Sequence, residues 1–221
     1  MAPWLITGAN RGIGLELCRL ICGRGDAVIA VCRSSSPELD ALGVRVESGI
    51  ELTSPASIEA LVGRLAGLTL AGAILNAGIL EAGRLDDLDA DSIRRQFELN
   101  ALAPLLLARA LLPNLGPGSK LALITSRMGS IDDNTSGGSY GYRMSKVALN
   151  MAGRSLAIDL RPRGIAVAIL HPGLVSTRMV NFNPQGISPA QAAAGLVERI
   201  DALSLETSGS FWHANGELLP W

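Results

Sequence analysis

Three side chains in the middle of the chain could act together on a carbonyl or alcohol oxygen. Tyr142 and Lys146 are four residues apart in a stretch predicted to be helical, so both point from one face of the helix. A free phenol, with a pKa of about 10, is a poor base at neutral pH, and a neighbouring ammonium is expected to lower that pKa. Ser126 follows an apolar run and could hydrogen-bond the same oxygen as charge develops on it. These residues predict acid–base catalysis by Tyr142.

The spacing of Tyr142 and Lys146 has a second interpretation, because a tyrosine four residues before a lysine also occurs on solvated helix faces. Tyr140, the other tyrosine, lies two positions away and would point to nearly the opposite side of the helix, with no lysine four residues after it. The catalytic interpretation therefore depends on what the rest of the chain places near these residues.

Short aliphatic runs alternate with longer amphipathic segments along the whole chain. Seven runs are predicted strands: residues 4–7, 27–31, 44–47, 71–75, 120–125, 165–170 and 208–212. Five segments are predicted helices: residues 13–23, 57–65, 89–112, 142–161 and 189–203. Because proline removes an intrahelical bond, the third of these is expected to be two helices or one helix kinked at Pro104.

This alternation predicts the α/β fold class. We expect residues 1–221 to form a single domain, a Rossmann-type doubly wound sheet of about seven mostly parallel strands flanked by helices. Ligands of such sheets bind outside the carboxyl ends of the strands. Functional residues are therefore expected in the loops that directly follow strands, which is where Ser126 lies.

A glycine-rich turn joins the first predicted strand to the first predicted helix. Gly8 permits the sharp turn, Gly12 lets the backbone approach a pyrophosphate, and Gly14 lets the helix pack close to the sheet. The helix N-terminus then offers free N–H groups and a positive dipole to phosphates. The turn predicts dinucleotide binding, and the alternative is that it merely reverses the chain.

The G-x-x-x-G-x-G spacing of this turn resembles that of the short-chain dehydrogenase/reductase family. Later motifs are similar to the family's in the same order: Asn76-Ala77-Gly78, Ser126, Tyr142 with Lys146, and Pro172-Gly173. Residues 124–131 and 139–146 further resemble the C-factor and sniffer-type carbonyl reductases. The resemblance implies an NADPH-dependent oxidoreductase that reduces a ketone or aldehyde to an alcohol by hydride transfer, with Tyr142 as the acid and base.

The resemblance also implies roles for individual positions. Asn100 is expected to join Ser126, Tyr142 and Lys146 by holding a water that links the lysine to solvent, although a purely structural hydrogen bond remains an alternative. The residues expected to bind NADP(H) are Gly8, Asn10, Arg11, Gly12, Ile13, Gly14, Arg33, Glu51, Leu52, Asn76, Ala77, Gly78, Tyr142, Lys146, Pro172, Gly173, Val175 and Thr177. Apolar residues that either line a substrate pocket or serve in ordinary packing are Leu80, Met128, Met179, Val180 and Phe182.

The end of the second predicted strand bears on the choice between NAD and NADP. In dinucleotide-binding folds an acid at this place hydrogen-bonds the 2′-hydroxyl of NAD, whereas an arginine accommodates the 2′-phosphate of NADP. Here Cys32 stands where the acid is expected, Arg33 follows it, and Arg11 adds a second cation in the glycine turn. These residues favour NADP(H), unless both arginines are simply solvated.

The composition excludes several other classes of function. The chain has 221 residues, 48% of them hydrophobic and 18% charged, and its net charge of −1 gives no electrostatic drive toward nucleic acid or anionic membranes. Its most apolar stretch, residues 101–115, is interrupted by two prolines and an arginine and is too short to span a membrane. The chain has three cysteines, an odd number, so we expect no disulfide framework and a cytoplasmic location. Cys18 and Cys22 are four residues apart but have no second cysteine pair to complete a zinc site, so we expect no metal site.

A homodimer is the expected assembly. Residues 89–112 and 142–161 are apolar around more of their circumference than one sheet contact requires, unless neighbouring loops cover the excess. The side chains expected at the two-fold interface are Leu102, Leu105, Leu106, Ala110, Ala148, Leu149, Ala152 and Leu156.

Two other functions stay open beside carbonyl reduction. One is a dinucleotide-binding signalling or developmental protein of C-factor type, in which turnover is incidental, and the other is NAD-dependent oxidation of an alcohol. The complete set of Ser126, Tyr142, Lys146 and Asn100 favours an enzyme with a small-molecule substrate, because a pure binding module needs no aligned acid and cation.

Overall fold

A single seven-stranded sheet organises the fold in the computed structural model, which describes residues 2–221. The strands are β1 (Trp4–Thr7), β2 (Val28–Val31), β3 (Arg45–Glu47), β4 (Gly72–Leu75), β5 (Lys120–Ile124), β6 (Ala166–His171) and β7 (Phe211–His213). Their order is β3-β2-β1-β4-β5-β6-β7, and all six pairings are parallel. The predicted α/β class and doubly wound sheet are confirmed, with strand bounds that move by a few residues.

Helices cover both faces of this sheet. They are α1 (Gly12–Gly23), α2 (Pro37–Asp40), α3 (Pro55–Arg64), α4 (Ala90–Phe97), α5 (Ala103–Ala110), α6 (Tyr140–Leu160) and α7 (Pro189–Asp201). One core layer contains buried residues of α1 and α7, such as Leu17 and Leu196, while the other contains residues of α3, α5 and α6, such as Leu149. Adjacent strand residues alternate between the layers, as Leu5 and Ile6 do, which is the two-residue period of a strand.

The connection order reverses between β1 and β4. From β1 the chain moves outward to β2 and β3, then crosses back to β4 on the other side of β1. In such a sheet the crevice outside the carboxyl ends of β1 and β4 is the place where a ligand fits between diverging loops. Ser126 and the glycine turn both lie at this edge of the sheet.

The segment over residues 89–112, expected to be two helices or one helix kinked at Pro104, is two helices. α4 ends at Phe97, residues Glu98–Leu102 form a π-helical turn, and α5 begins at Ala103. Pro104 therefore lies in the first turn of α5, where its missing N–H is tolerated, and the kink expected at Pro104 instead falls in the π turn before it. Within residues 2–221, no helix is long and apolar enough to cross a membrane.

Two positions where β1 connects to α1, Gly8 in the turn and Gly14 in the first turn of the helix, require glycine. Gly8 has a φ of +65°, in the left-handed region that favours glycine. A Cβ at Gly14 would overlap the Gly8 carbonyl oxygen and lie 2.8 Å from the Asn76 amide nitrogen. The first turn of α1 therefore packs directly on the turn that precedes it and on the loop after β4.

We expect Gly14→Ala to lower the free energy of unfolding by about 1–3 kcal/mol, because the added methyl group must push backbone aside. Gly23→Ala, at the C-terminal end of the same helix, is the matched control. Nothing lies within 4 Å of a Cβ at Gly23, and alanine favours helix. Thermal unfolding of both variants measures the difference. A Gly14→Ala protein as stable as Gly23→Ala would contradict this packing.

Candidate active site

The carboxyl ends of β1 and β4 are joined by side-chain hydrogen bonds. The Asn76 amide nitrogen Nδ2 donates to the Thr7 carbonyl at 3.0 Å, while the backbone N–H groups of Asn76 and Ala77 donate to Thr7 Oγ1 at 3.0 and 3.1 Å. This junction fixes the glycine turn and the Asn76-Ala77-Gly78 loop relative to each other. Thr7 was not singled out from the sequence, although a polar residue ending an apolar strand is the signal that could have found it.

The glycine turn has the features of a phosphate cradle. Arg11 is the N-cap of α1 and makes no side-chain cap, so the first N–H groups of the helix are free for an anion. Gly12 has a φ of +54°, and a Cβ there would have only Thr177 Cγ2 within 4 Å, at 3.5 Å. The loop after β6 thus lies across from the glycine turn, and the donors and open backbone fit a dinucleotide. Ile13 follows in the first turn of the helix.

The expected adenosine end of the site contains an exposed cation. The Arg33 side chain is 68% exposed, and its nearest carboxylate contact is Glu51, with Nη1 3.7 Å from Oε2. Glu51 also accepts a hydrogen bond from the Thr53 hydroxyl at 3.1 Å. Asn10 Nδ2 donates to the Ser34 carbonyl at 2.9 Å, which holds the loop after β2 beside the glycine turn.

Other residues at the expected adenosine end of the site are partly or wholly buried in the core. Cys32 is buried, so it presents no side chain to solvent where an acid would contact ribose. Leu52 is half-buried and packs against the core layer under α3 and α5. The structure thus leaves Arg33, with Arg11, as the exposed charges expected to face this end of a dinucleotide.

The structure brings Ser126, Tyr142 and Lys146 together under the carboxyl end of β5. All three are buried, with Lys146 only 4% exposed. Its ammonium Nζ donates to the Ile124 carbonyl at 3.0 Å and lies 5.6 Å from the centre of the Tyr142 ring. Tyr140, at the very start of α6, does not share this contact, as its position in the sequence predicts.

Burial shifts the pKa values of the two titratable groups, Tyr142 and Lys146, in opposite directions. It raises the pKa of Tyr142 to about 12, with a hydrogen bond from Ser126 acting in the opposite direction, and it lowers the pKa of Lys146 to about 8. The expectation that the pKa of Tyr142 is lowered is therefore wrong for this structure, because desolvation dominates. At neutral pH the phenol therefore carries its proton.

Asn100 lies in the π-helical turn and is fully buried. Its amide oxygen accepts from the Ile79 N–H at 2.8 Å, and its amide nitrogen donates to the Ile79 carbonyl at 2.8 Å and to Ser145 Oγ at 3.0 Å. A Cβ at Gly78 would lie 3.0 Å from Asn100 Oδ1 and 3.7 Å from Lys146 Nζ. The π turn therefore ties the loop after β4 to α6, close to the lysine.

Two further buried residues position α6, and sequence reasoning missed both. Thr125 Oγ1 donates to Asn150 Oδ1 at 2.7 Å, and Asn150 Nδ2 donates to the Gly129 carbonyl at 3.1 Å. A Cβ at Gly129 would lie 2.7 Å from the Lys146 carbonyl carbon, so the turn after Ser126 packs directly on the helix. An asparagine four residues after Lys146 in an apolar helix was the available signal.

The loop after β6 crosses the mouth of the site. Pro172 is buried, Gly173 has a φ of +90°, and Val175 pairs with Ile187 in a parallel bridge. This pairing closes the loop that follows Thr177 on itself. Thr177, within this loop, lies opposite the glycine turn, with its Cγ2 3.5 Å from where a Cβ of Gly12 would be.

The five expected pocket residues divide into two groups. Leu80 and Met128 are partly buried, whereas Met179 and Phe182 are exposed on the loop after Thr177, next to Val180. Phe182 has a φ of +52°, an unusual conformation for a bulky residue. The loop thus presents apolar side chains to solvent.

His171 ends β6, and its ring lies 4.8 Å from that of His213 in a T-shaped arrangement. Burial lowers the pKa of His171 to about 3, and the positive charges of Arg127 and Lys146 act in the same direction. The imidazole is therefore neutral at physiological pH.

Comparison with known proteins identifies the family. The family model described as short chain dehydrogenase matches residues 4–187. The chain belongs to the short chain dehydrogenase family. A family relative, 1-hydroxy-2-glutathionyl-2-methyl-3-butene dehydrogenase of Rhodococcus sp. (strain AD45), is 44% identical over 226 aligned residues, which cover 100% of both chains. The C-signal of Myxococcus xanthus is 46% identical over 140 residues, which cover 62% of this chain and 83% of the relative.

Solved structures of the short chain dehydrogenase family share the whole fold. An NADPH-bound carbonyl reductase from chicken fatty liver has a TM-score of 0.90 and 31% identity, covering 100% of this chain and 99% of the other. The carbonyl reductase Sniffer of Drosophila melanogaster has a TM-score of 0.91 and 28% identity, covering 100% of both chains. The predicted family, and its resemblance to C-factor and sniffer-type reductases, are confirmed, and the chain is an oxidoreductase of this family.

Proposed function

We propose that the protein is an NADPH-dependent carbonyl reductase that converts a ketone or aldehyde to an alcohol. The observation that carries the proposal is a buried Tyr142 beside the buried ammonium of Lys146 and the hydroxyl of Ser126. This group lies at the same sheet edge as the glycine turn. The NADPH-bound chicken reductase, which shares the fold throughout, supports the choice of cofactor.

The residues proposed to hold the cofactor follow the edge of the sheet. The glycine turn and the free N–H groups of α1 would bind the phosphates, and Arg33 with Arg11 would face the 2′-phosphate. The adenosine and the central part of the cofactor would be bordered by Glu51, Leu52 and the Asn76-Ala77-Gly78 loop. The nicotinamide would be bordered by Pro172, Gly173, Val175 and Thr177. Bound NADPH would supply a hydride to the carbonyl carbon.

The side chains of the chain would manage the oxygen and its proton. Tyr142 donates a hydrogen bond to the carbonyl oxygen and then transfers its proton as negative charge develops there. The Ser126 hydroxyl stabilises the same oxygen. The Lys146 ammonium stabilises the resulting phenolate, and its lowered pKa lets it return a proton near neutral pH. Asn100 lies close to Gly78 and Lys146, and we propose that it holds the water through which that proton is restored.

A second candidate is oxidation of an alcohol by the same residues in reverse. It is favoured by the Rhodococcus relative, whose name describes a dehydrogenase acting on a glutathionyl-substituted alcohol. Reduction is the first candidate because the solved structure of an NADPH-bound carbonyl reductase shares the whole fold. A signalling role like that of the C-signal relative would not require the buried acid Tyr142.

We expect Tyr142→Phe to lower kcat for carbonyl reduction at least about 100-fold, since general acid catalysis is typically worth 10²–10⁴-fold. NADPH affinity should persist, because the phenol acts on the substrate oxygen. Tyr140→Phe is the matched control and should keep wild-type activity. Lys146→Ala should damage both turnover and cofactor binding. Wild-type kcat in Tyr142→Phe would refute the assigned acid.

The cofactor preference is a separate expectation. A charge-assisted contact to the 2′-phosphate is worth about 1.5–3 kcal/mol, so NADPH should bind about 10- to 100-fold more tightly than NADH. The Arg33–Glu51 pair does not oppose this, because an exposed pair at 3.7 Å is weak. Fluorescence titration should show that Arg33→Gln largely loses the preference for NADPH. Arg19→Gln, which changes an exposed arginine on α1, should keep that preference. Equal affinity for both cofactors in the wild-type protein would refute it.

A homodimer remains our proposal, with a corrected interface. Leu149 is buried in the core, and Leu106, Ala110 and Leu156 pack against the same layer, so these expected contacts face inward. The exposed apolar side chains along α6 are Met144, Met151 and Ile158, seven residues apart on one face. On the neighbouring segments, Phe97 and Leu105 are exposed as well.

We expect light scattering at micromolar concentration to give about twice the 23.0 kDa chain mass. Met151→Arg should restore the single-chain mass, because it puts a charge in the centre of the apolar face. Leu20→Arg, on α1 at the opposite face of the sheet, should leave the mass doubled. A single-chain mass for the wild-type protein would eliminate the dimer.

A further inference from the structure

We propose that Arg127 and Glu217 form a clamp that positions Ser126, so that residues 214–221 act as part of the catalytic apparatus. The inference rests on the proposed function, in which the Ser126 hydroxyl holds the substrate oxygen. In this account Arg127 and Glu217 are positioning residues, because they act through the turn that carries Ser126.

Residues 214–221 fold back along β7. The backbone N–H of Leu219 donates to the Phe211 carbonyl at 2.8 Å, and Trp212 pairs with Leu218 in an antiparallel bridge. Leu219 is buried against Phe211, and the Trp221 ring stacks on Phe211 with 5.5 Å between ring centres. This segment is therefore anchored on the sheet and offers a rigid base for contacts to its neighbours.

The anchored segment reaches the loop after β5 at two points. Arg127 Nη2 donates to Glu217 Oε2 at 2.7 Å, and the Asp132 N–H donates to the Trp221 carbonyl at 2.9 Å. Arg127 Nε also lies 3.2 Å from Asp133 Oδ2. One guanidinium thus bridges a carboxylate of the C-terminal segment and a carboxylate of the loop that follows Ser126.

These contacts complete a two-sided hold on the turn Arg127–Gly129. From one side, Gly129 packs on the backbone of Lys146 and its carbonyl accepts from Asn150. From the other, Arg127 is held by the clamp. Between them, the Met128 N–H donates to Ser126 Oγ at 3.1 Å, so the conformation of this turn orients the Ser126 hydroxyl.

An ion pair with a 40% exposed arginine adds little to folding stability, usually under about 1 kcal/mol. Catalysis is far more sensitive, because a displacement of about 1 Å can cost 100-fold in rate. The clamp is therefore expected to show in turnover and local mobility while leaving the thermal midpoint almost unchanged.

The test compares Glu217→Gln, Arg127→Gln and the double variant with the wild-type protein, using kcat, KM for NADPH and hydrogen–deuterium exchange. Each single variant should lower kcat about tenfold with KM for NADPH within about twofold, and the double variant should lose no more than either alone. Arg127→Lys, which keeps one charge contact, should retain more kcat than Arg127→Gln. Exchange should accelerate in residues 127–133. Glu16→Gln, which breaks the Glu16–Arg19 pair on α1, should change none of these values.

Unchanged kcat in Glu217→Gln, or losses that multiply in the double variant, would overturn the inference. Exchange in residues 127–133 at the wild-type rate would overturn it as well, and that measurement needs no substrate. Absence of any reduced carbonyl with the wild-type protein would instead count against the proposed function.

Discussion

The burial of the Lys146 ammonium is the constraint on which the rest of the site depends. A charge removed from water is costly unless hydrogen bonds hold it, and here the Ile124 carbonyl accepts from it while burial lowers its pKa to about 8. The same burial keeps the proton on Tyr142. The proposed mechanism uses this pair, with the phenol as the proton donor and the neighbouring ammonium stabilising the phenolate that forms.

Keeping Lys146 in place explains the polar residues buried around α6. Asn100 bonds Ser145 and the loop after β4, while Asn150 bonds Thr125 and the turn after Ser126. Each asparagine therefore ties a different strand end to the helix that carries the lysine and the tyrosine. Because these buried polar groups bond across elements, they are expected to hold the site in one geometry.

The features of the fold and the site that the sequence predicts are those encoded by local sequence pattern. Aliphatic runs marked the seven strands, and the glycine spacing marked a turn in which Gly14 has no room for a side chain. The pairing of Tyr142 with Lys146 follows from helical periodicity. The short helix Pro37–Asp40 was missed, because four residues carry too little periodicity to be detected.

The parts that could not be predicted depend on contacts between distant residues. The π turn at Asn100 is stabilised by bonds to Ile79, 21 residues away, and the Arg127–Glu217 contact joins residues 90 apart. The direction of the Tyr142 pKa shift depends on how completely the fold excludes water, which spacing does not reveal. Likewise, Leu149 and Met151 are both apolar residues of one helix, and only the packed structure shows which of them is exposed.

We propose that NADPH bound at this edge of the sheet would supply a hydride to a carbonyl carbon while Tyr142 supplies the proton to its oxygen. The most direct measurement is mass spectrometry and NMR of the alcohol formed from small ketones, aldehydes and quinones with NADPH deuterated at the transferred position. The account predicts one deuterium on the former carbonyl carbon and a solvent-exchangeable hydrogen on the oxygen. Alcohol without deuterium at that carbon, or no NADPH-dependent product from the whole panel, would contradict it.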